Sequence, residues 1–295
     1  MNPRALSAAL FTIAVWASLA LLTDRVSHLP PMLASGLALM VGGLVGAWQP
    51  GAWRAPWATY LLGVGGLLGY HALLFAAFSL APAVEANLLQ YLWPLLIVLL
   101  TPMFLPGRRL NIAHIAGALL GFGGAVLIVG GGQMTLSGTH AWGYACAIAA
   151  AAVWAIYSLG CRRLPPFPTS AIAACCLLAG ALAVLAQVAL DGPQALQRLN
   201  SSDVLLLLAL GLGPMGVAFL TWDIAMKHGD PRAIGALSYL TPLLSTLLLT
   251  GVNGHAVTAQ SALAMAAILS GALLGNLEAL RAVRVAFASG EGPAA

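Results

Sequence analysis

Ten apolar stretches separated by short gaps fill this chain. They cover residues 4–23, 31–48, 57–79, 82–104, 111–131, 141–161, 168–190, 203–226, 231–251 and 258–281. About 20 residues of helix reach about 30 Å, the depth of a bilayer's hydrocarbon core. The pattern therefore predicts an all-α integral membrane protein of ten transmembrane helices. The gaps are rich in turn formers, as in Leu29-Pro30-Pro31, Gln49-Pro50-Gly51 and Leu164-Pro165-Pro166, and no stretch outside the spans is long enough to bury a soluble core. The first span has the outline of a signal peptide, with Arg4 before an apolar run and Ala17-Ser18 near its end. Nine further spans favour an uncleaved helix.

Charge orients the spans. Ten of the twelve Lys and Arg residues fall in alternate gaps: Arg4; Arg54; Arg108 and Arg109; Arg162 and Arg163; Lys227 and Arg232; Arg281 and Arg284. Only Arg25 and Arg198 lie in the others. Cytoplasmic loops carry the excess of positive residues, so both termini are expected on the cytoplasmic side. The composition agrees: 61% of residues are hydrophobic, 7% are charged and the mean hydropathy is +0.94. A net charge of +4 and a pI near 9.1 would suit nucleic acid. The basic residues are scattered at span ends, however, and read as topology anchors, so no nucleic-acid partner is expected. Cys146, Cys161, Cys175 and Cys176 show neither metal-ligand nor disulfide-framework spacing and read as packing residues.

The second half of the chain repeats the first. Val15-Trp16-Ala17 in span 1 matches Val153-Trp154-Ala155 in span 6. Tyr91-Leu92-Trp93-Pro94-Leu95-Leu96 in span 4 matches Tyr239-Leu240-Thr241-Pro242-Leu243-Leu244 in span 9. Gly-Ala-Leu-Leu-Gly occurs at Gly117 to Gly121 and at Gly271 to Gly275, although a competing register pairs Gly123-Gly124 with Ser270-Gly271. An odd number of spans per copy makes the copies inverted, the arrangement of many secondary transporters, whose substrate site lies near the midplane between the halves. The expected division is 1–137 and 138–284, followed by a cytoplasmic tail at 285–295.

Ten spans in two halves, a Trp in the first span of each and Tyr-x-x-Pro in the fourth resemble the drug/metabolite transporter superfamily in its EamA-type ten-helix branch. Within that branch the chain is most similar to the YddG-type aromatic amino-acid exporters. The resemblance extends over about residues 5 to 282. It implies a basket in which the first four helices of each half surround a central cavity while the fifth pair packs outside. It also implies alternating-access export of amino acids, aromatic ones above all, across a bacterial inner membrane. The alternatives are a carrier for another metabolite or drug, and a channel.

Candidate residues can be weighed without the resemblance. Trp and Tyr normally collect at membrane interfaces, yet Trp16, Tyr70, Tyr91, Trp93, Trp154 and Tyr239 lie roughly 12 to 21 Å along their helices. Such rings either line a cavity, stacking on an aromatic substrate or holding an ammonium, or pack helices together. Tyr157, one turn beyond Trp154, joins the candidates. Asn87 shares a face with Tyr91, whereas Trp93 is rotated about 200° from Tyr91 in an undisturbed helix, which places Tyr91 ahead of Trp93 unless Pro94 distorts the turn before it. Pro94 and Pro242 each remove a mid-span hydrogen bond. Together with Pro214, in the Gly211 to Gly216 segment, they are hinge candidates.

Ionisable groups inside a membrane cost about 2.5 to 3.5 kcal/mol each at a helix centre and so call for a role. His71, beside Tyr70, is either a substrate ligand, a proton carrier or a structural histidine. Glu85 lies near an external span end, where interface exposure competes with ammonium binding. Asp223 precedes Lys227 by one helical turn, the favourable order for an ion pair. The small-residue pairs Gly42/Gly46, Gly65/Gly69, Gly117/Gly121 and Gly271/Gly275 suit close helix approach, and the last two could alternatively form a homodimer face. No phosphate loop, His-Glu-x-x-His, Gly-x-Ser-x-Gly or metal-spaced carboxylates occur. Neither an enzyme, a cofactor nor a metal site is expected. The partners called for are small-molecule amino acids and the bilayer.

Overall fold

The structure, a computed structural model, describes residues 2–130, 137–253 and 259–277, and among these it contains helices and no strand. The helices are α1 (Pro3–Arg25), α2 (Pro31–Leu44), α3 (Trp57–Leu80), α4 (Ala83–Phe104), α5 (Ile112–Gly130), α6 (Ala141–Gly160), α7 (Ser170–Asp191), α8 (Ser201–His228), α9 (Pro231–Ser238 and Leu240–Asn253) and α10 (Ala259–Gly275). Arg281, Arg284 and the 285–295 tail lie outside the described residues, as do the tenth span beyond residue 277 and the junction at 131–136.

Local chemistry starts these helices where the apolar runs begin. The Asn2 side chain accepts the Arg4 N–H at 2.9 Å with Pro3 in the first turn, and Asp230 caps Arg232 at 3.0 Å with Pro231 following it. Asn200 and Asp203 form a reciprocal capping box at the start of α8. The α2 helix stops at Leu44, short of the expected residue 48. Its last turn loosens into i to i−3 bonds at Val45 and Gly46, and Gln49 is held extended by the proline that follows it.

Among the described residues six helices, α1, α3, α4, α6, α7 and α8, are long and apolar enough to cross a membrane, and α2, α5 and α10 contain shorter apolar runs. Leucines on their outer faces are exposed, among them Leu61, Leu185, Leu190 and Leu205, as expected where lipid is the solvent. The eight tryptophans divide sharply. Trp48, Trp53, Trp57 and Trp142 lie at or just beyond helix ends and are 75%, 49%, 76% and 81% exposed, the placement of an interfacial belt, whereas Trp16, Trp93, Trp154 and Trp222 are at most 9% exposed.

Packing follows a shift of five helices. The α3 helix packs on α6 as α8 packs on α1, and α4 packs on α6 as α9 packs on α1. The α2 helix packs on α7, and α5 on α10, each its own counterpart. Both self-paired contacts are antiparallel: Gly36 meets Gly180 while Gly43 meets Ala173 and Leu177, and Gly117 meets Gly275 while Gly124 meets Ala264. A Cβ on Gly117 would lie 2.5 Å from the Gly275 nitrogen, and one on Gly271 2.6 Å from the Gly121 nitrogen. This contact fits both candidate registers alike, because Gly117 meets Gly271 as well as Gly275 while Gly124 meets Ala264. These glycines face each other inside the chain, so a homodimer through α5 and α10 would have to use their outer faces. Gly65 meets nothing within 4 Å and Gly69 only Val153 at 3.8 Å, whereas Gly63 and Gly66 take the close approaches, to Cys175 and Tyr157.

The gaps sort onto two ends. The N-terminus and the α4–α5, α6–α7 and α8–α9 gaps meet around Arg108, Arg162 and Asp230, and Gly51 of the α2–α3 gap touches Pro168 beside them. At the other end His28 pairs with Asp203 at 3.1 Å, Glu85 accepts from Tyr144, and His140 lies 3.2 Å from the Leu80 carbonyl. The gaps rich in basic residues therefore share one end.

Candidate functional site

The four buried tryptophans form one cluster where the first five helices meet the last five. Trp16 of α1 lies 5.6 Å from Trp154 of α6, 6.0 Å from Trp93 of α4 and 5.2 Å from Trp222 of α8, measured between ring centroids. Phe219 packs on Trp16 and Trp154 at 6.1 and 5.5 Å. Tyr70 and Tyr157 flank Trp154 at 5.1 and 5.4 Å. Most of these ring pairs are tilted or edge-on, the arrangements that aromatic quadrupoles favour.

Backbone irregularities hold the indoles. The segment Gly213–Val217 of α8 is a π-helical turn, which disturbs the usual ladder and presents a carbonyl sideways. Trp16 Nε1 donates to that of Pro214 at 3.0 Å. Gly42 of α2 lies against Met215, Gly211 and Gly216 there, so the turn is clamped by a neighbouring backbone. Trp222 Nε1 donates to Ser158 Oγ at 3.0 Å. Trp154 differs: its Nε1 is buried and has no hydrogen-bond partner among the described residues. An unmade donor in such surroundings costs about 1–3 kcal/mol.

Trp93 belongs to the cluster and Tyr91 does not contact its rings. The α4 helix is interrupted at Tyr91, with ψ near 2°, so the 200° separation of an undisturbed helix no longer applies. Tyr91, Asn87 and Tyr70 are half-buried, and Tyr70 receives a hydrogen bond from Gln90 at 2.8 Å. His71 is buried, with Nδ1 2.7 Å from the Leu67 carbonyl. A carbonyl only accepts, so Nδ1 carries a proton, and in the neutral tautomer Nε2 is the acceptor. Pro94 and Pro242 are buried within α4 and α9.

Tyr239 lies apart from the cluster. It is fully buried against Phe122 and Gly121, and its hydroxyl donates to the Tyr91 carbonyl and accepts from the Leu95 N–H. It thus replaces a helix bond within α4 and does not face the indoles. Glu85 is 7% exposed and accepts from Tyr144. Asp223 pairs with Lys227 at 2.6 Å and accepts from Thr169 at 2.7 Å, while Lys227 sits 3.6 Å over the Phe167 ring.

Trp222, Phe219 and Gln90 were not among the residues selected from sequence. Trp222 lies next to Asp223 near a span end, where it reads as an interfacial anchor. The available signal was its i, i+3 spacing from Phe219, which puts both rings on one face.

A transport protein is the class this architecture defines, and comparison with known proteins agrees. The EamA-like transporter family model matches the chain twice, at residues 3–130 and 141–277. The chain belongs to the EamA-like transporter family. It is 42% identical over 278 residues to the aromatic amino acid exporter YddG of Ancylobacter novellus, covering 91% of this chain and 96% of that one. It is 26% identical over 173 residues to the aromatic amino acid exporter YddG of Escherichia coli strain K12, over 56% of this chain and 57% of that one. A solved crystal structure with 42% sequence identity superposes with a TM-score of 0.85, covering 93% of this chain and 97% of that chain.

Proposed function

We propose that this protein exports aromatic amino acids across a bacterial inner membrane by alternating access. All ten helices cross the bilayer, both termini are cytoplasmic, and residues 1–137 and 138–284 are inverted copies of one unit that exchange conformations. The five-helix packing shift, the antiparallel α2–α7 and α5–α10 contacts and the gathering of basic gaps at one end support this topology. The relatives' shared description as aromatic amino acid exporters supports the substrate.

The observation that carries the reading is the partnerless Nε1–H of Trp154 within a cluster contributed by both copies. That N–H donates to the substrate carboxylate, and the surrounding indoles and Tyr157 receive the substrate ring. The cluster's rings touch one another, so they part as the substrate enters beside Tyr70, Asn87 and Tyr91. Nε2 of His71 accepts from the substrate ammonium. Asp223 and Lys227, joined to each other, and Tyr239, joined to α4, stay outside the binding set. Pro94, Pro214 and Pro242 mark where the helices bend during exchange.

Uptake of labelled Trp, Phe, Thr and Lys into proteoliposomes, with and without a pH gradient, tests the proposal. Saturable flux with trans-stimulation, competed by aromatic amino acids, is expected. Flux that neither saturates nor responds to substrate on the far side would indicate a channel and sink the carrier reading.

A further inference from the structure

A cavity of about 350 Å³ opens at the end of the molecule that holds the basic gaps. Its volume falls within the about 300–1,000 Å³ typical of small-molecule sites. Arg108 lines it from the first five helices, and Arg162, Asp230 and Arg232 from the last five. The same residues lace the two halves together: Arg108 meets Asp230 at 3.3 Å, Arg232 donates to the Arg109 carbonyl, and Arg163 nearby donates to the Phe104 carbonyl at 2.7 Å.

Among the described residues the arginines of this cavity outnumber its carboxylates. Among the described residues the carboxylate of Asp230 serves both Arg232 at 2.6 Å and Arg108 at 3.3 Å. Half-buried Arg162 donates to the Gly229 carbonyl and meets no carboxylate at ion-pair distance among the described residues. Burial and the like charge of Arg108 press its proton affinity below the ordinary arginine value, with Asp230 offsetting only part. An oxyanion placed there would relieve both effects. The ties at the opposite end that the described residues show are a histidine–aspartate pair and a tyrosine–glutamate bond.

We propose that this cavity is a carboxylate-binding vestibule, in which an amino acid arriving from the basic side docks on Arg162 and competes with Asp230 for Arg108. Docking loosens the lacing between the halves before the molecule opens to that side. The vestibule rests on the reading of the protein as an amino-acid carrier, and it adds an entry site distinct from the tryptophan cluster.

Arg162 itself provides the test. Purified full-length protein is treated with phenylglyoxal in the presence of tryptophan, benzoate or tryptophanamide, and peptide mass spectrometry measures modification at Arg162. Protection by tryptophan and benzoate, but not by tryptophanamide, is expected. Equal modification in all three overturns the vestibule, and protection by phosphatidylglycerol in place of tryptophan assigns the cavity to lipid and overturns it as well. In proteoliposomes, Arg162→Gln should raise KM for tryptophan presented at the basic side about tenfold, the loss expected for one charge-assisted hydrogen bond. KM at the opposite face should stay unchanged, and Arg162→Lys should stay near wild type. An equal effect at both faces, or none, counts against the vestibule. A wild-type protein that moves no amino acid would sink the carrier reading while leaving the protection assay to judge the cavity separately.

Discussion

The phenol of Tyr239 is built into the backbone of a different helix, its oxygen 3.1 Å from the amide nitrogen of Leu95. The proline at 94 already removes one donor from α4, and Leu95 turns to the phenol in place of the Tyr91 carbonyl, which the phenol satisfies in turn at 3.3 Å. Tyr239→Phe strands a buried N–H, at a cost of about 1–3 kcal/mol. A lower thermal midpoint in detergent is expected. An unchanged midpoint would mean that α4 recloses its own Leu95-to-Tyr91 bond and needs no phenol.

Glycines with the same sequence spacing should respond oppositely to alanine. A Cβ at Gly271 would stand 2.6 Å from the Gly117 carbonyl oxygen and the Gly121 nitrogen, backbone atoms that cannot yield without separating α5 from α10. At Gly65 a Cβ meets open space. Fluorescence-detected thermal unfolding should show Gly271→Ala clearly destabilised and Gly65→Ala neutral or better, since alanine gains about 0.8–1.0 kcal/mol over glycine within a helix. Similar responses would contradict the close α5–α10 contact.

These contrasts mark how far the sequence could be read. Hydrophobic runs located the helices to within a few residues because membrane helices satisfy their backbone internally and must be long and apolar. Trp16 and Trp154 were legible as a related pair because they recur in matching tripeptides, and their rings do touch. Spacing alone could not separate Gly65/Gly69 from Gly63 and Gly66, because every face of α3 is apolar and the facing helix is not written in it. Nor could depth distinguish Tyr239, stitched into α4, from rings in the central cluster. Trp93 was ranked behind Tyr91 on ideal helix geometry, and the interruption at Tyr91 removed the premise.

Acid should weaken the lacing at the basic end. Burial pushes the Asp230 carboxyl up, but the Arg232 hydrogen bonds and the charges of Arg232 and Arg108 outweigh it and hold the group below the ordinary carboxylate value. A depressed folded value means that the group's stabilisation is present above the unfolded value of about 3.9 and is lost as pH falls through the folded one. Asp230→Asn should therefore be less stable than wild type at neutral pH, with the gap closing below about pH 4. A gap that stays constant on acidification would show that the carboxylate's charge contributes nothing.

Single cysteines can report which end faces the cytoplasm. Arg54 and Gln194 are both exposed and lie at opposite ends, one beside Pro168 through Gly51 and the other in the α7–α8 gap, which leads into Asp203 in the first turn of α8. In a background with the four native cysteines replaced, an impermeant maleimide added to intact cells should label Gln194→Cys and spare Arg54→Cys. The reverse pattern would invert the proposed topology and turn the vestibule outward.

The indole N–H of Trp154 can be separated from its ring. Trp154→Phe keeps an aromatic plane between Tyr70, Tyr157 and Phe219 but deletes the partnerless donor, so the empty protein loses no hydrogen bond. Its stability should change little, since loss of ring area is offset by removal of a donor that was unmade at a cost of about 1–3 kcal/mol. Trp154→Ala opens a cavity in a cluster shared by both halves and should cost about 3–5 kcal/mol, as large aromatic truncations in cores do. If the N–H holds the substrate carboxylate, Trp154→Phe raises KM for tryptophan about tenfold, in line with one hydrogen bond to a charged group. Tryptophanamide, lacking the charge, should be affected less. Wild-type kinetics in Trp154→Phe would reduce Trp154 to a packing residue and leave the carboxylate to another donor.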